Sequence, residues 1–158
     1  MKTEELIVNY INILAEIMRQ SMREYKTTAG SGDLFNLTIT QLHYLHAIAN
    51  SEGPTFSDLV DKFAVKKSTV TVAVNRLIQQ NLVYKQQSDK DLRVYHIFLT
   101  EKGEKLLEIE RQGYFYFARR MTTNLAESDK VAFTNMLGKI IGNISDTRTN
   151  TPSSASGE

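Results

Sequence analysis

Polar and apolar positions alternate along most of this chain with the period of an amphipathic helix, and one short region breaks that pattern. Between Thr3 and about Lys26, Leu6, Tyr10, Ile13 and Ile17 run beside Ile7, Ile11, Leu14, Met18 and Met22, which predicts a long helix with a wide apolar face. The small and glycine-rich stretch Thr27–Gly32 ends it. Thr38 followed by Gln41 has the capping-box form and predicts a second helix from Ile39 to about Asn50, which Ser51-Glu52-Gly53-Pro54 breaks. Thr55 with Asp58 predicts a third, short helix closing at Ala64-Val65.

The fourth helix, from Lys66 to about Gln80, has a plain outer face. Val70, Ala73, Val74 and Leu77 share an inner stripe, while Ser68, Val72, Asn75, Arg76 and Gln79 fall opposite. No acid stands between Lys66 and Gln80. Here the period switches to that of strands: Leu82–Lys85 and Val94–Leu99 flank the turn Ser88-Asp89-Lys90-Asp91 and predict a hairpin. Thr100 is a fitting N-cap for a long helix to about Asn124, with Leu106, Ile109, Gly113 and Tyr116 beside Leu107, Tyr114, Phe117 and Met121. A last helix is expected over Glu127–Ser145, and a disordered tail over Thr147–Glu158. The fold class is therefore mainly α with a small β wing. One domain is expected over residues 1–146, with a winged helix-turn-helix lobe at about 37–100 and helices at about 3–27 and 101–146 outside it.

With 158 residues, 41% hydrophobic and 23% charged, the composition is ordinary for a globular protein, and the net charge of +1 says little. Its distribution says more. Lys66, Lys67, Arg76, Lys85, Lys90 and Arg93 face only Asp89 and Asp91 in their segment, so the positive charge is concentrated around the fourth helix and the hairpin. The chain has no cysteine, which excludes disulfides, thiolate metal sites and thiol chemistry. No apolar run has membrane-spanning length and the start is charged, so a cytoplasmic protein is expected. There is no glycine-rich phosphate loop, no nucleophile motif and no metal-binding His-Glu run, so an enzyme is not expected and no cofactor is called for.

Two short helices joined by a tight turn, the second with a groove-ready outer face, form a helix-turn-helix pattern. The run Lys67–Leu77, then Asn81-Leu-Val83, Asp91-Leu-Arg93 and Leu99-Thr-Glu-Lys-Gly103, resembles the recognition helix, first wing strand, wing tip and following helix of the MarR family of bacterial transcription regulators. The resemblance in helix order covers about Leu6 to Ile144. It implies a homodimer held by the terminal helices, with two winged lobes reading a palindromic operator in double-stranded DNA, as a ligand-responsive repressor. It also implies that Arg93 reaches the minor groove and Asp91 holds it. Two positions depart from the family pattern: Leu92, where many members have a second basic residue, and Lys66, where members often have a Ser or Thr cap. The expected DNA contacts are Lys66, Lys67, Ser68, Thr69, Thr71, Val72, Asn75, Arg76, Lys90, Asp91 and Arg93. The competing reading is a winged helix that binds protein, which need not keep its recognition face free of acids.

His43 and His46 lie three apart on the second helix, near enough to share a metal, but without carboxylate or thiolate neighbours along that helix. No metal site is therefore expected. The aromatic run Tyr114-Phe115-Tyr116-Phe117 is too broad for one narrow helix face, so part of it should meet a partner chain or a cavity. In the family the effector pocket lies between the dimer base and the DNA-binding lobe, which implies Tyr10, Leu14, His43, Tyr44 and Tyr114 as lining residues and a small apolar or aromatic effector.

Overall fold

The computed structural model describes residues 2–28 and 37–149. Its elements are α1 (Thr3–Thr28), α2 (Ile39–Ala49), α3 (Phe56–Phe63), α4 (Lys67–Gln79), β1 (Val83–Gln87), β2 (Tyr95–Leu99), α5 (Glu101–Thr122) and α6 (Glu127–Thr149). Two compact units are formed, Met1–Phe117 and Ala118–Glu158. The mainly helical fold with one small antiparallel sheet is the one the sequence predicts. Helix α6 runs into Thr147–Thr149, which the polar composition had assigned to a disordered tail; the rest of that tail, and most of the loop expected at Thr27–Gly32, lie outside the described residues.

Local chemistry explains most boundaries. The expected capping box at Thr38 forms, and the Thr55 cap proves to be a second one. The Thr38 hydroxyl accepts the Gln41 N–H at 3.2 Å and the Gln41 amide oxygen accepts the Thr38 N–H at 2.9 Å. Asp58 returns the same bond to Thr55 at 2.7 Å. Ala64, the C-cap of α3, and Asn81, just after the α4 C-cap Gln80, are the two non-glycine residues with positive φ among the described residues. At the second, the N–H of Leu82 reaches back to the Leu77 carbonyl at 2.9 Å, so the chain leaves α4 sharply and enters the hairpin. The Thr100 hydroxyl accepts from the Gly103 N–H at 3.1 Å and donates to the Asn81 carbonyl at 2.7 Å, tying the start of α5 to the end of α4. Gly103 is required there, because a Cβ would strike the Leu82 carbonyl oxygen.

The core of the first unit gathers Tyr44, Leu45 and Ile48 of α2, Leu59 of α3, Val70, Val74 and Leu77 of α4, Leu82, Val83 and Ile97 of the hairpin, and Leu106 of α5. Strands β1 and β2 pair in register from Val83 opposite Leu99 to Gln87 opposite Tyr95. Unforeseen in the sequence, β2 also pairs on its other side: the Ile97 N–H donates to the Pro54 carbonyl at 2.9 Å, and Thr55 bridges His96. The hairpin is thereby fastened to the turn between α2 and α3. Gly53 permits this with φ of 69°, under the ring of Phe98.

The capping box of α3 gives a pH-dependent contribution to stability. Hydrogen bonds from the Thr55 N–H and hydroxyl hold the Asp58 carboxyl below its ordinary 3.8. A depressed carboxylate stabilises the fold fully above 3.8, and that contribution is lost as pH falls through the lowered folded value. Asp58→Ala should cost about 1 kcal/mol at neutral pH. In urea denaturation the gap from wild type should close as the pH is taken below 3.8; a gap independent of pH would show that the carboxylate is not the source.

Candidate nucleic-acid interface

Helix α4 presents the face the sequence assigns to it. Val70, Val74 and Leu77 are fully buried, Ala73 is half-buried against the core, and Ser68, Thr69, Val72, Asn75, Arg76 and Gln79 are exposed. Lys66 is its N-cap and makes no side-chain cap hydrogen bond. The Thr71 hydroxyl donates to the Lys67 carbonyl at 2.9 Å, which leaves its oxygen outward as an acceptor.

A cleft of about 420 Å³ lies between α4, the start of α3 and the hairpin. Lys67, Thr71 and Asn75 line one wall and Lys85, Arg93, Val94 and Tyr95 the other, with Thr55, Phe56 and Ser57 at its base. Three cations and four hydroxyl-bearing residues beside Asn75 suit a phosphodiester strand, which needs positive charge and hydrogen-bond donors. Lys85 stands over the Tyr95 ring, 5.1 Å from its centre, so its ammonium is held near the cleft instead of sampling solvent. Among the expected contacts, Lys67, Thr71, Asn75 and Arg93 are brought together here. Lys66, Ser68, Thr69, Val72, Arg76 and Lys90 are exposed outside it. Thr55, Ser57 and Tyr95 were missed in the sequence, and Lys85 was read there only as part of the charge cluster. Period-2 alternation in the hairpin places Lys85 and Tyr95 on sheet faces, but only the pairing of β2 with residues 54–55 turns them toward α4.

At the wing tip, Asp91 accepts from the Arg93 N–H at 3.0 Å, from its Nε at 3.2 Å and from its Nη2 at 3.4 Å. The backbone bond first, and the side-chain bond second, hold the Asp91 carboxyl below its ordinary value. The Arg93 side chain remains 91% exposed, so it is aimed without being used up. Leu92, beside it, is also exposed.

The expected effector-lining set is largely redistributed. A second cavity, of about 350 Å³, is bounded by Met18, Arg19, Met22, Arg23 and Lys26 of α1, by Leu37, Ile39 and Leu42, and by Leu106, Glu110 and Tyr114 of α5. Of the five residues expected there, Tyr114 alone lines it. Tyr44 is a core residue stacked 4.3 Å from Phe63, and burial raises the pKa of its hydroxyl. His43, Tyr10 and Leu14 are exposed and lie outside this wall. Residues 18, 22 and 26 of α1, and not 10 and 14, line this cavity beside α5.

The histidine pair is corrected as well. His46 does have a carboxylate neighbour, supplied by another helix: its Nε2 lies 2.7 Å from Oε2 of Glu110. Glu110 is 5% exposed, and the Tyr114 hydroxyl donates to its other oxygen at 3.5 Å. Desolvation first, and Glu110 second, raise the pKa of Tyr114. Desolvation lowers that of Lys26 while Glu110 opposes the shift. One buried carboxylate thus engages groups on α1, α2 and α5. Among the described residues no cluster of three or more His, Cys, Asp or Glu could hold a metal ion, and no helix is long and apolar enough to cross a membrane.

Comparison with known proteins matches this geometry. The model of the MarR family matches residues 37–95, the winged lobe with its cleft. The chain is 27% identical over 104 residues to the HTH-type transcriptional repressor MdtR of Bacillus subtilis (strain 168), spanning 66% of this chain and 67% of MdtR. Among solved structures it is similar to the YusO protein of Bacillus subtilis, with TM-score 0.69 and 23% identity over 90% of this chain and 99% of that one. It is also similar to Streptococcus pneumoniae FabT in complex with DNA, with TM-score 0.63 and 21% identity over 91% and 95% of the two chains. At those identities the structural likeness establishes the fold.

Removing one side of the His46–Glu110 pair should be worse than removing the charge. His46→Ala should lower unfolding free energy by about 1–3 kcal/mol, because Glu110 stays buried without its short partner. Glu110→Met, which takes the carboxylate out, should cost less. Urea denaturation of the two variants gives the order, and the reverse order would show that His46 is a mere surface contact.

Proposed function

We propose that this chain, whose winged lobe matches the model of the MarR family, is a homodimeric transcriptional repressor of that family that binds a palindromic operator and is released by a small organic effector. The observation that carries the DNA-binding part is the joint cleft: an acid-free helix face and the wing Arg93 meet around one channel lined by Lys67 and Lys85. A protein-binding winged helix has no need of three cations converging on a strand-sized channel. Helix α4 would enter the major groove, its uncapped first turn facing a phosphate. Arg93 would enter the adjacent minor groove, where a narrow, electronegative groove attracts guanidinium.

Two features support a dimer. Helix α1 leaves Ile7, Val8, Tyr10, Ile11, Ile13, Leu14 and Ile17 exposed, and α6 leaves Val131, Met136, Leu137, Ile140, Ile141 and Ile144 exposed. Such apolar area is unfavourable in water unless a second copy covers it. A two-fold dimer would set two recognition helices about 34 Å apart, one turn of DNA.

The cavity beside α5 supports the effector part. It has an apolar wall of methionine and leucine, with Lys26, Glu110 and Tyr114 to orient a polar end. An occupant there would touch Glu110, which also holds His46 of the helix-turn-helix. It could shift the dimer between DNA-binding and released forms only by its difference in affinity for the two. An apolar or aromatic organic molecule suits this wall better than a metal ion. The protein would act in the cytoplasm, where its DNA is.

Salt titrations of operator binding separate the parts. Lys67→Ala and Lys85→Ala should each flatten the dependence of log affinity on log salt by about one unit. Arg93→Ala should weaken binding most on sites with A·T-rich flanks; unchanged affinity would remove the wing from the interface. Analytical ultracentrifugation at micromolar concentration should give a dimer, and a monomer would overturn the two-fold reading.

A further inference from the structure

At the outermost line of α4, where a groove-binding helix comes nearest to base edges, stands a side chain with no hydrogen-bonding group. Val70, Val74 and Leu77 point into the core. At about 100° per residue, Val72 lies opposite them, on the same outer line as Ser68 and Gln79. Lys67, Thr71 and Asn75 turn to one side, into the cleft with Arg93, while Thr69 and Arg76 turn to the other. Val72 is 53% exposed and is the one large hydrophobic side chain of α4 that is exposed.

Nothing in the fold explains that choice. An exposed Val is a poorer helix former than Ala, Lys, Glu or Gln, and it buries little in return. What it offers is precision: in a helix a β-branched side chain keeps essentially one χ1 rotamer, so its two methyl groups are fixed before any partner arrives. In the major groove the base edges carry hydrogen-bonding groups with one exception, the C5-methyl of thymine. Against thymine, Val72 makes an apolar contact. Against guanine or cytosine it would cover a carbonyl or an amino group without satisfying it.

We infer that Val72 is a specificity-determining residue that reads the C5-methyl of one thymine in each half-site. The inference rests on the DNA-binding reading above and narrows it to a single chemical group. Lys67 and Lys85 carry affinity without sequence preference, Arg93 reads groove shape, and Val72 selects a base.

The test uses the full-length protein and duplexes selected from a randomised library. Each thymine of the selected site is then replaced, symmetrically in both halves, by deoxyuridine, which removes the methyl and nothing else. One symmetric pair of positions should be sensitive, weakening wild-type binding about fourfold per half-site, as expected for one buried methyl. Val72→Ala should bind the thymine and uracil duplexes alike. Val72→Thr, which keeps one methyl in the same shape, should retain part of the preference and gives the ratio if the alanine variant fails to fold. Arg93→Ala should weaken both duplexes and leave their ratio unchanged. Enriched sites with no uracil-sensitive position, or a Val72→Ala protein with the wild-type ratio, would overturn the inference and leave DNA binding intact. No enrichment and no duplex binding at all would overturn both.

Discussion

The burial of one stripe of α4 is the constraint from which the rest of the winged lobe follows. Val70, Val74 and Leu77 are sealed among Leu45 of α2, Leu59 of α3 and Ile97 of β2. Each such side chain contributes about 1.5–3 kcal/mol by leaving water, so the rotation of α4 about its axis is not adjustable. Fixing the inner face fixes the outer one. Ser68, Val72, Asn75 and Arg76 are presented outward because the core leaves them no alternative, and recognition is set by the same packing that stabilises the lobe.

The wing is held by a different kind of force. A two-stranded hairpin is marginal alone, and here it is fastened along the free edge of β2. The Pro54 carbonyl takes the Ile97 N–H, His96 Nδ1 lies 2.6 Å from the Gly53 carbonyl, and Gly53 is left-handed beneath Phe98. Those bonds point the wing across the front of α4 and create the cleft. Asp91 then fixes the last few ångströms by aiming Arg93. Helix and wing are thus separate in sequence but rigidly related in space, as the proposed reading of two adjacent grooves requires.

Glu110 stands apart from both devices. A buried carboxylate is an inefficient way to stabilise a small domain, since desolvation offsets much of what its partners return. Its position suggests why it is there: it is the polar group that the α5 cavity shares with His46 of the helix-turn-helix. An occupant of the kind proposed would meet the carboxylate that lies against His46 of α2.

The sequence by itself determined every helix of the first unit, the hairpin, the Thr38 and Thr55 caps and the two faces of α4. Each of these is written in local periodicity or in a cap residue within four positions of its partner. It also placed the cationic segment, because charge is legible without coordinates. Only the tertiary structure decided what the cleft contains and where the α5 cavity lies. Lys85 and Tyr95 join Lys67 through the pairing of β2 with residues 54–55, some forty positions away, which no local pattern encodes. Glu110 reads in sequence as one more solvated acid on a helix, and its burial against His46 depends on how α5 is rotated against α1 and α2. The same packing sets Met18, Met22 and Lys26, and not Tyr10 and Leu14, against the α5 cavity. Periodicity gives the width of an apolar face but not which turn of the helix another element covers, since that is settled by long-range packing alone.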